Sequence, residues 1–187
     1  MEYFARAGYR EMGTDGVLKN ERGERLVVEL TFADSSTLMT NVCSVLRQEA
    51  LKCGVDLRLD SLTYSVCSRK VFEKRYQAAL WAWPLQTPFP RLYETFSSEL
   101  AYDARGNPVG NTNNIMAVSD AGLDAALDAE RNAPDIGSLK LALHRAQQRL
   151  HELCVWIPGW REPYTHIACW RWIRWPESPT RFCSPRI

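Results

Sequence analysis

The sequence predicts an α/β fold in which helices pack on a parallel sheet. Segments whose apolar residues alternate, with the period of a strand, are separated by segments whose apolar residues recur at steps of three and four, with the period of a helix. The links between these segments are short. A strand–helix–strand–helix–strand order with short links is typical of parallel strands joined by right-handed crossovers.

The chain begins with a short predicted helix and a region of turns. Residues 2–8 resemble the last turns of a helix, and the pairs Asp15-Gly16 and Arg22-Gly23 predict two tight reversals. Because the helix runs directly into turns, we expect the chain to start inside a larger domain.

Three strands and two helices then alternate. Strands are predicted at residues 25–33, 55–60 and 78–83, and we expect all three to be parallel members of one sheet. The first connecting helix ends at Gly54 and has an apolar face formed by Met39, Val42, Cys43, Leu46, Ala50 and Cys53. A shorter helix at residues 65–74 connects the second and third strands.

The second half of the chain is predicted to contain a loop, two helices and an extended tail. Residues 106–114, GNPVGNTNN, are typical of a loop. Helices are predicted at residues 120–131 and 135–153, the second with a core-facing stripe of Ile136, Leu139, Leu143, Ala146, Leu150 and Leu153. From Cys154 onward repeated prolines exclude long helices, so we expect an extended segment.

Composition excludes several classes of protein. The chain has 187 residues, 45% of them hydrophobic, and a net charge of +1. This hydrophobic fraction is ordinary for a globular protein, and the balanced charge gives no overall field that would attract nucleic acid. No uncharged apolar run approaches the roughly 18 residues that span a bilayer.

Cysteine and histidine residues give little support for a metal site or an enzyme. The six cysteines form no CxxC pair. Cys43 and Cys53 are about 15 Å apart along one helix, too far to bridge, and we expect both to be buried thiols. His144 and His151 are about 10.5 Å apart along the helix axis, too far to share a metal ion. A cysteine–histidine enzyme remains the lowest-ranked alternative.

Tryptophan is the clearest compositional anomaly. Five of the seven tryptophans lie in the final stretch, interleaved with arginines: Trp156, Trp160, Trp170, Trp172 and Trp175. This pattern is compatible with a stacking surface for bases or a peptide, and also with rings that pack against another layer of protein. The net charge of +1 favours packing. Trp81 and Trp83 are separate, at the end of the third strand, where open α/β sheets bind ligands.

The order of these segments resembles a known family. The stretch AGYREMGTDGVLKNERGERLVVELTF, the helix ending in KCGVDLRL and the stretch VFEKRYQAALWAW are similar to the C-terminal lobe of family 5 extracellular solute-binding proteins. The closing WIPGWREPYTHIACWRWIRWPES resembles the oligopeptide and microcin-uptake branch of these ABC-importer components.

The resemblance implies a fold, a place and a set of partners. Residues 1–153 would be the parallel-sheet lobe of a type II periplasmic-binding-protein fold. Residues 154–187 would be the tryptophan-rich hinge crossover that returns to the first lobe. The parent protein would be periplasmic or extracellular, would bind a peptide or similar solute, and would work with a membrane permease. It would need no cofactor and no nucleic acid, and the N-terminal lobe would lie in the same parent chain.

The resemblance also implies site residues. Trp83 matches a tryptophan that borders the peptide cleft, with Trp81 beside it on the same strand. Many relatives have an aspartate that pairs with the peptide α-amino group at the position of Gln86, and a neutral amide forfeits that charge-assisted bond. Asn113 and Asn114 match the asparagine that precedes a helix bearing an aspartate, here Asp124, which we interpret as a helix anchor.

The favoured hypothesis is therefore a binding component without catalysis. A regulatory or interaction domain that reuses the same fold is the first alternative, because a fold does not determine a function. The remaining alternative is the cysteine–histidine enzyme, for which His166 and Cys169 are the candidate residues.

Overall fold

The structure is a computed structural model that describes residues 2–82 and 92–159. Helix α1, Glu2–Arg6, leads into an antiparallel hairpin of strands β1, Tyr9–Met12, and β2, Leu18–Asn20. The sequence predicted the helix, but it predicted only turns where the hairpin lies. The two strands have no clear alternation because β1 is mostly exposed, whereas β2 begins at the buried Leu18.

A three-stranded parallel sheet forms the centre of the N-terminal half. Its strands are β3, Val27–Ala33, β4, Asp56–Leu62, and β5, Ala78–Ala79, in the order β4-β3-β5. Both pairings are parallel, with Leu30 opposite Leu59 and Ala78. The predicted parallel sheet is therefore confirmed.

Strand β5 is shorter than the predicted 78–83, because its ladder ends after Ala79. The next amide, of Leu80, still donates a hydrogen bond to the carbonyl of Thr31 at 3.0 Å. Among the described residues β5 pairs only with β3, so no second neighbour extends its ladder.

Helices cover both faces of this sheet. Helix α2, Thr37–Lys52, packs on the face that carries Leu30 and Phe32, where Cys43 is fully buried. Helix α3, Tyr64–Phe72, packs on the opposite face, where its Cys67 and Val71 contact a cluster that includes Ala33, Leu62 and Trp81. Strand alternation thus places odd-numbered residues of β3 beneath α3 and even-numbered ones beneath α2.

Two positions of the predicted apolar face of α2 are wrong. Leu46 is 43% exposed, and Cys53 is also exposed. Cys53 lies after the last helical residue, at the C-cap, where the chain turns into Gly54. Its side chain is therefore no longer on the helix face that packs on the sheet. The prediction of a buried Cys43 thiol is confirmed.

The second half is helical. Helix α4, Tyr93–Phe96, a short 3-10 helix, Ser98–Leu100, and helices α5, Ala121–Arg131, and α6, Ile136–Leu153, follow in order. The N-cap residues Asp120 and Asp135 each accept a backbone N–H, which fixes where α5 and α6 begin. The core of this half contains Phe96, Val118, Leu123, Ala126, Leu127 and Ala146.

The last three residues of the predicted stripe on α6, Ala146, Leu150 and Leu153, pack on this core, whereas Leu139 and Leu143 are half-buried. Ile136 is 64% exposed. Ile136 belongs to the first turn, and the buried positions of α6 begin further along, at Ala142.

Helix α6 ends at Leu153, and Cys154 adopts a left-handed conformation with φ of 52°. Trp156 then packs on Phe96 with ring centroids 5.3 Å apart, so this tryptophan covers the helical core. Trp160, Trp170, Trp172 and Trp175 lie outside the described residues. Among the helices that the structure describes, none combines the length and apolarity needed to cross a membrane.

Candidate functional site

The three parallel strands end at one edge of the sheet. The amide of Asp34, just after β3, donates to the carbonyl of Leu62 at the end of β4 at 2.9 Å. On the other side Leu80, just after β5, donates to Thr31 of β3. In open α/β sheets ligands bind beyond the carboxyl ends of the strands, so this edge is the candidate site.

Trp81 lies at this edge but faces the protein core. Its ring stacks on Tyr64 with centroids 6.0 Å apart and planes 15° apart, and Phe72 contacts it edge-on at the same centroid distance. It also packs against the cluster of Cys67, Val71 and Ile115. The Trp81 ring thus packs mainly against α3 and the core beneath this helix.

Tyr64 is the exposed member of this pair. It is the first residue of α3, directly after β4, and is 60% exposed. The sequence analysis did not single it out, because the predicted helix began at residue 65. The available signal was an aromatic residue four positions beyond the end of the predicted strand at residues 55–60.

A charged network attaches α3 to strands β3 and β4 of the sheet. The Nζ of Lys70 donates to Glu29 Oε1 at 2.6 Å and to Asp60 Oδ2 at 2.7 Å. The hydroxyl of Thr31, which is fully buried, donates to the same Asp60 oxygen at 3.0 Å. The ammonium of Lys70 holds the pKa of Asp60 below its ordinary value, and Asp60 and Glu29 together raise the pKa of Lys70.

Lys74 connects α3 to the loop that precedes α5. Its Nζ donates to the carbonyls of Leu100 and Ala101, at 2.8 and 3.1 Å, and to the hydroxyl of Thr112 at 3.2 Å. None of these acceptors is charged, and burial lowers the pKa of Lys74. The sheet and the helical half are therefore joined by hydrogen bonds as well as by apolar packing.

Asn114 and Asn113 have different environments. Asn114 is fully buried, and its amide donates to the carbonyls of Ser97 and Val118 while its oxygen accepts the amide of Val118 at 3.0 Å. Each polar atom of the Asn114 side chain is thus hydrogen-bonded inside the protein. Asn113 is exposed. Of these two side chains, only that of Asn113 is accessible to a ligand in this conformation.

Asp124 anchors its helix. Its Oδ1 accepts the backbone amide of Ser98 at 2.9 Å and so ties the first turn of α5 to the 3-10 helix. This contact agrees with the interpretation of Asp124 as a helix anchor.

Several predicted site residues lie outside the described residues: Trp83, Gln86, His166 and Cys169. The described cysteines include two fully buried thiols, Cys43 and Cys67, whose pKa values are raised by burial. Buried thiols with raised pKa values are poor nucleophiles. Within residues 2–82 and 92–159 no three histidine, cysteine or carboxylate side chains are grouped as metal ligands would be.

No protein-family model and no curated protein matches this sequence. The fold, however, matches many solved structures. A mannohexaose-bound periplasmic oligopeptide-binding protein from Thermotoga maritima has a TM-score of 0.71 at 13% identity, over 84% of this chain and 29% of its own.

Two further structures match at similar scores. The oligopeptide-binding protein AppA from Bacillus subtilis, in complex with a nonapeptide, has a TM-score of 0.68 at 18% identity, over 81% of this chain and 28% of its own. NikZ from Campylobacter jejuni, in complex with Ni(L-His), has a TM-score of 0.64 at 22% identity, over 81% of this chain and 29% of its own.

This chain therefore spans less than a third of the length of each of these structures. The resemblance drawn from the sequence is confirmed for the fold. The described residues have the α/β fold, with its parallel sheet, of part of the periplasmic solute-binding proteins.

Proposed function

We propose that this chain forms one wall of the ligand cleft in a substrate-binding component of an ABC importer that takes up peptides or similar solutes. One observation carries the proposal. The carboxyl ends of three parallel strands meet at one edge, next to the stacked pair Tyr64–Trp81, in a fold shared with oligopeptide-binding proteins. Such an edge is where this class of sheet binds its ligands.

The cleft residues follow from this edge. Trp83 and Gln86 follow Trp81 by two and five positions in the chain, and we propose them as ligand contacts, with the exposed Asn113 as a third. Asn114 instead positions the backbone of this region, because its amide bonds Ser97 and Val118. Trp81 supports Tyr64 and the strand end.

The ligand is an extended peptide or a solute of similar size. An extended peptide is held mainly through main-chain hydrogen bonds, with pockets for alternate side chains. The structural neighbours hold a nonapeptide, a mannohexaose and a nickel–histidine complex, so this fold accepts different solutes. Gln86 lacks the charge that would attract a free α-amino group, so ligands without one should bind equally well.

The partners follow from the same proposal. A second, N-terminal lobe of the parent protein closes over the ligand from the other side, and a membrane permease receives it. The protein works in the periplasm or outside the cell, and it catalyses no reaction.

A peptide-binding measurement tests the proposal. The parent protein with both lobes is incubated with a random library of short peptides, the retained peptides are identified by mass spectrometry, and their affinities are measured by calorimetry. We expect Trp83→Ala to weaken binding several-fold and to leave the melting temperature nearly unchanged, since stacking losses are on the order of 1 kcal/mol.

Trp156→Ala is the matched control. Trp156 packs on Phe96 in the helical core, so its loss should lower the melting temperature and leave the affinity of the folded protein unchanged. A parent protein that retains no peptide or other small solute contradicts the proposal. So does micromolar binding by the 187-residue chain alone, because one wall cannot offset the fixed entropic cost of association.

A further inference from the structure

We propose that Lys74 is a positioning residue for ligand binding, because its ammonium fixes the loop that carries Asn113, one of the proposed ligand contacts. This inference rests on the proposed function and deepens it: Lys74 acts on the ligand only through another residue. Neither the sequence analysis nor the proposed set of ligand contacts includes Lys74.

The ammonium of Lys74 uses all of its hydrogen-bond donors inside the protein. Its Nζ donates to the carbonyls of Leu100 and Ala101, at 2.8 and 3.1 Å, and to the hydroxyl of Thr112 at 3.2 Å. An ammonium has three N–H groups, so each has one of these acceptors. Hydrogen bonds from a charged donor are roughly twice as strong as neutral ones. Lys74 therefore fastens the end of the 3-10 helix and the loop to the end of α3.

The backbone of Lys74 indicates that its side chain has a role beyond ending the helix. Lys74 has a φ of 58°, in the left-handed region that glycine adopts at the least cost. It follows Glu73, the C-cap of α3, at the position where glycine most often ends a helix. Glycine would make the same turn without strain, but it would provide none of the three side-chain bonds. Backbone strain of this kind persists where the surrounding structure holds the residue in place.

Both neighbours of Asn113 are fastened, whereas the Asn113 side chain is exposed. Thr112 accepts the ammonium of Lys74 and also donates its hydroxyl to the carbonyl of Leu100 at 2.6 Å. Asn114 is fully buried and hydrogen-bonded through its side chain. Asn113 lies between these two residues, with its side chain toward the outside. The loop therefore presents Asn113 from a backbone that is held on both sides.

The same loop packs beside the candidate edge of the sheet. The hydroxyl of Tyr76 donates to the carbonyl of Ile115 at 2.8 Å. Ile115 belongs to the buried cluster against which Trp81 packs, just after β5. A loop released from Lys74 would thus move Asn113 relative to the strand ends where we propose that the ligand binds.

The test measures peptide affinity and loop protection in the parent protein with both lobes. The probe is the tightest-binding peptide that this protein retains from the random library, and its affinity is measured by calorimetry. Lys74→Met should weaken binding of this peptide about three- to ten-fold and should speed hydrogen exchange in residues 106–116, measured by mass spectrometry. Lys140→Met removes an exposed lysine of α6 and should change neither quantity.

A milder pair of variants covers the case in which Lys74→Met does not fold. Thr112→Val removes the hydroxyl that accepts from Lys74, so it should weaken binding in the same direction. Thr112→Ser keeps the hydroxyl and should restore most of the affinity. Circular dichroism checks that each variant is folded.

A double-mutant cycle separates positioning from a purely structural role. Asn113→Ala should weaken binding in the wild type, but it should have a smaller effect in the Lys74→Met background, because the released loop no longer holds Asn113 in place. A loss of stability alone would not make the two effects depend on each other. Additive effects on affinity overturn the inference, and so does an Asn113→Ala variant that binds as the wild type does.

The inference and the proposed function fail in different ways. If the parent protein binds its peptide with the same affinity after folded Lys74→Met or Thr112→Val, only the positioning role is wrong. If the wild-type parent protein retains no peptide or other small solute, the proposed function is wrong, and the inference that rests on it is wrong as well.

Discussion

Arg149 on α6 forms a two-point ion pair with Asp120, the N-cap residue of α5. Its Nε lies 2.9 Å from Oδ1 and its Nη2 lies 2.8 Å from Oδ2 of Asp120. Asp120 Oδ1 also accepts the amide of Leu123 at 2.8 Å. One carboxylate therefore both begins α5 and attaches it to α6.

This pair predicts a pH-dependent stability. Arg149 holds the pKa of Asp120 well below its ordinary value of 3.8. Because the folded-state pKa is depressed, the stabilisation is complete above the unfolded-state value and is lost as the pH falls through the folded-state value. Asp120→Asn, which keeps a capping side chain, should lower the melting temperature at neutral pH, and the difference from the wild type should shrink in strong acid.

Arg145→Gln is the control for this experiment, since Arg145 is an exposed arginine of the same helix with no ion pair recorded among the described residues. It should change stability by less than about 0.5 kcal/mol. If the melting temperatures of Asp120→Asn and the wild type differ by the same amount at neutral and at very acid pH, the ion pair contributes nothing to stability.

Asn114 and Asn113 provide a matched pair of substitutions. Asn114→Ala leaves buried partners of its amide at Ser97 and Val118 without a hydrogen bond, which should cost about 1–3 kcal/mol of unfolding free energy. Asn113→Ala removes an exposed side chain and should cost less than about 0.5 kcal/mol. Denaturant unfolding of both variants measures the difference, and equal costs would contradict the structural role of Asn114.

Glu130 predicts the opposite pH dependence from Asp120. Its Oε1 accepts the amide of Leu92 at 3.3 Å, and its buried Oε2 has no hydrogen-bond partner among the described residues. Burial raises the pKa of Glu130 above its ordinary value of 4.5. The folded state therefore favours the protonated carboxyl, and ionisation at higher pH destabilises it.

Glu130→Gln should stabilise the protein at neutral pH, because the amide oxygen retains the bond to Leu92 and no charge is buried. The advantage should disappear as the pH falls and the wild-type carboxyl becomes protonated. Thermal melts across this range check the sign, and an advantage that grows in acid would contradict it.

Position 54 requires glycine for two reasons, its left-handed backbone conformation and the close approach of the Leu18 side chain. Its φ is +84°, and a Cβ at this position would lie 2.6 Å from Cγ of Leu18. Gly16 has a similar φ of +77° but nothing within 4 Å of the same position. Gly16→Ala should therefore cost about 1–2 kcal/mol for the left-handed conformation alone. Gly54→Ala should cost more, and equal losses in denaturant unfolding would show that Leu18 moves aside.

Much of the fold could be predicted from local patterns. The alternation of apolar residues in the first two strands, the apolar run of the third and the aspartates that cap α5 and α6 are properties of short windows of sequence. The structure contains all of these elements. The hairpin β1–β2 was missed because its short strands have little alternation, and it is held partly by the bond from the Leu18 amide to the distant Gly54 carbonyl at 2.8 Å.

The candidate site was less predictable. Trp81 was identified by its place at the end of a predicted strand, but only the structure shows that the exposed Tyr64 stacks on its ring. Asn113 and Asn114 are adjacent and chemically identical, yet one is exposed and the other fully buried. Adjacent residues on an irregular loop follow no period, so a pattern cannot tell which of them turns inward.

The sequence by itself determined that this chain forms helices and parallel strands, because backbone preference and apolar period act over a few residues. The tertiary structure decided which side chains meet: Lys70 with Glu29 and Asp60, Arg149 with Asp120, and Tyr64 with Trp81. Most of these contacts join residues far apart in the chain. They depend on strand register and helix orientation, which burial of the whole core determines, and no local window of sequence contains that information.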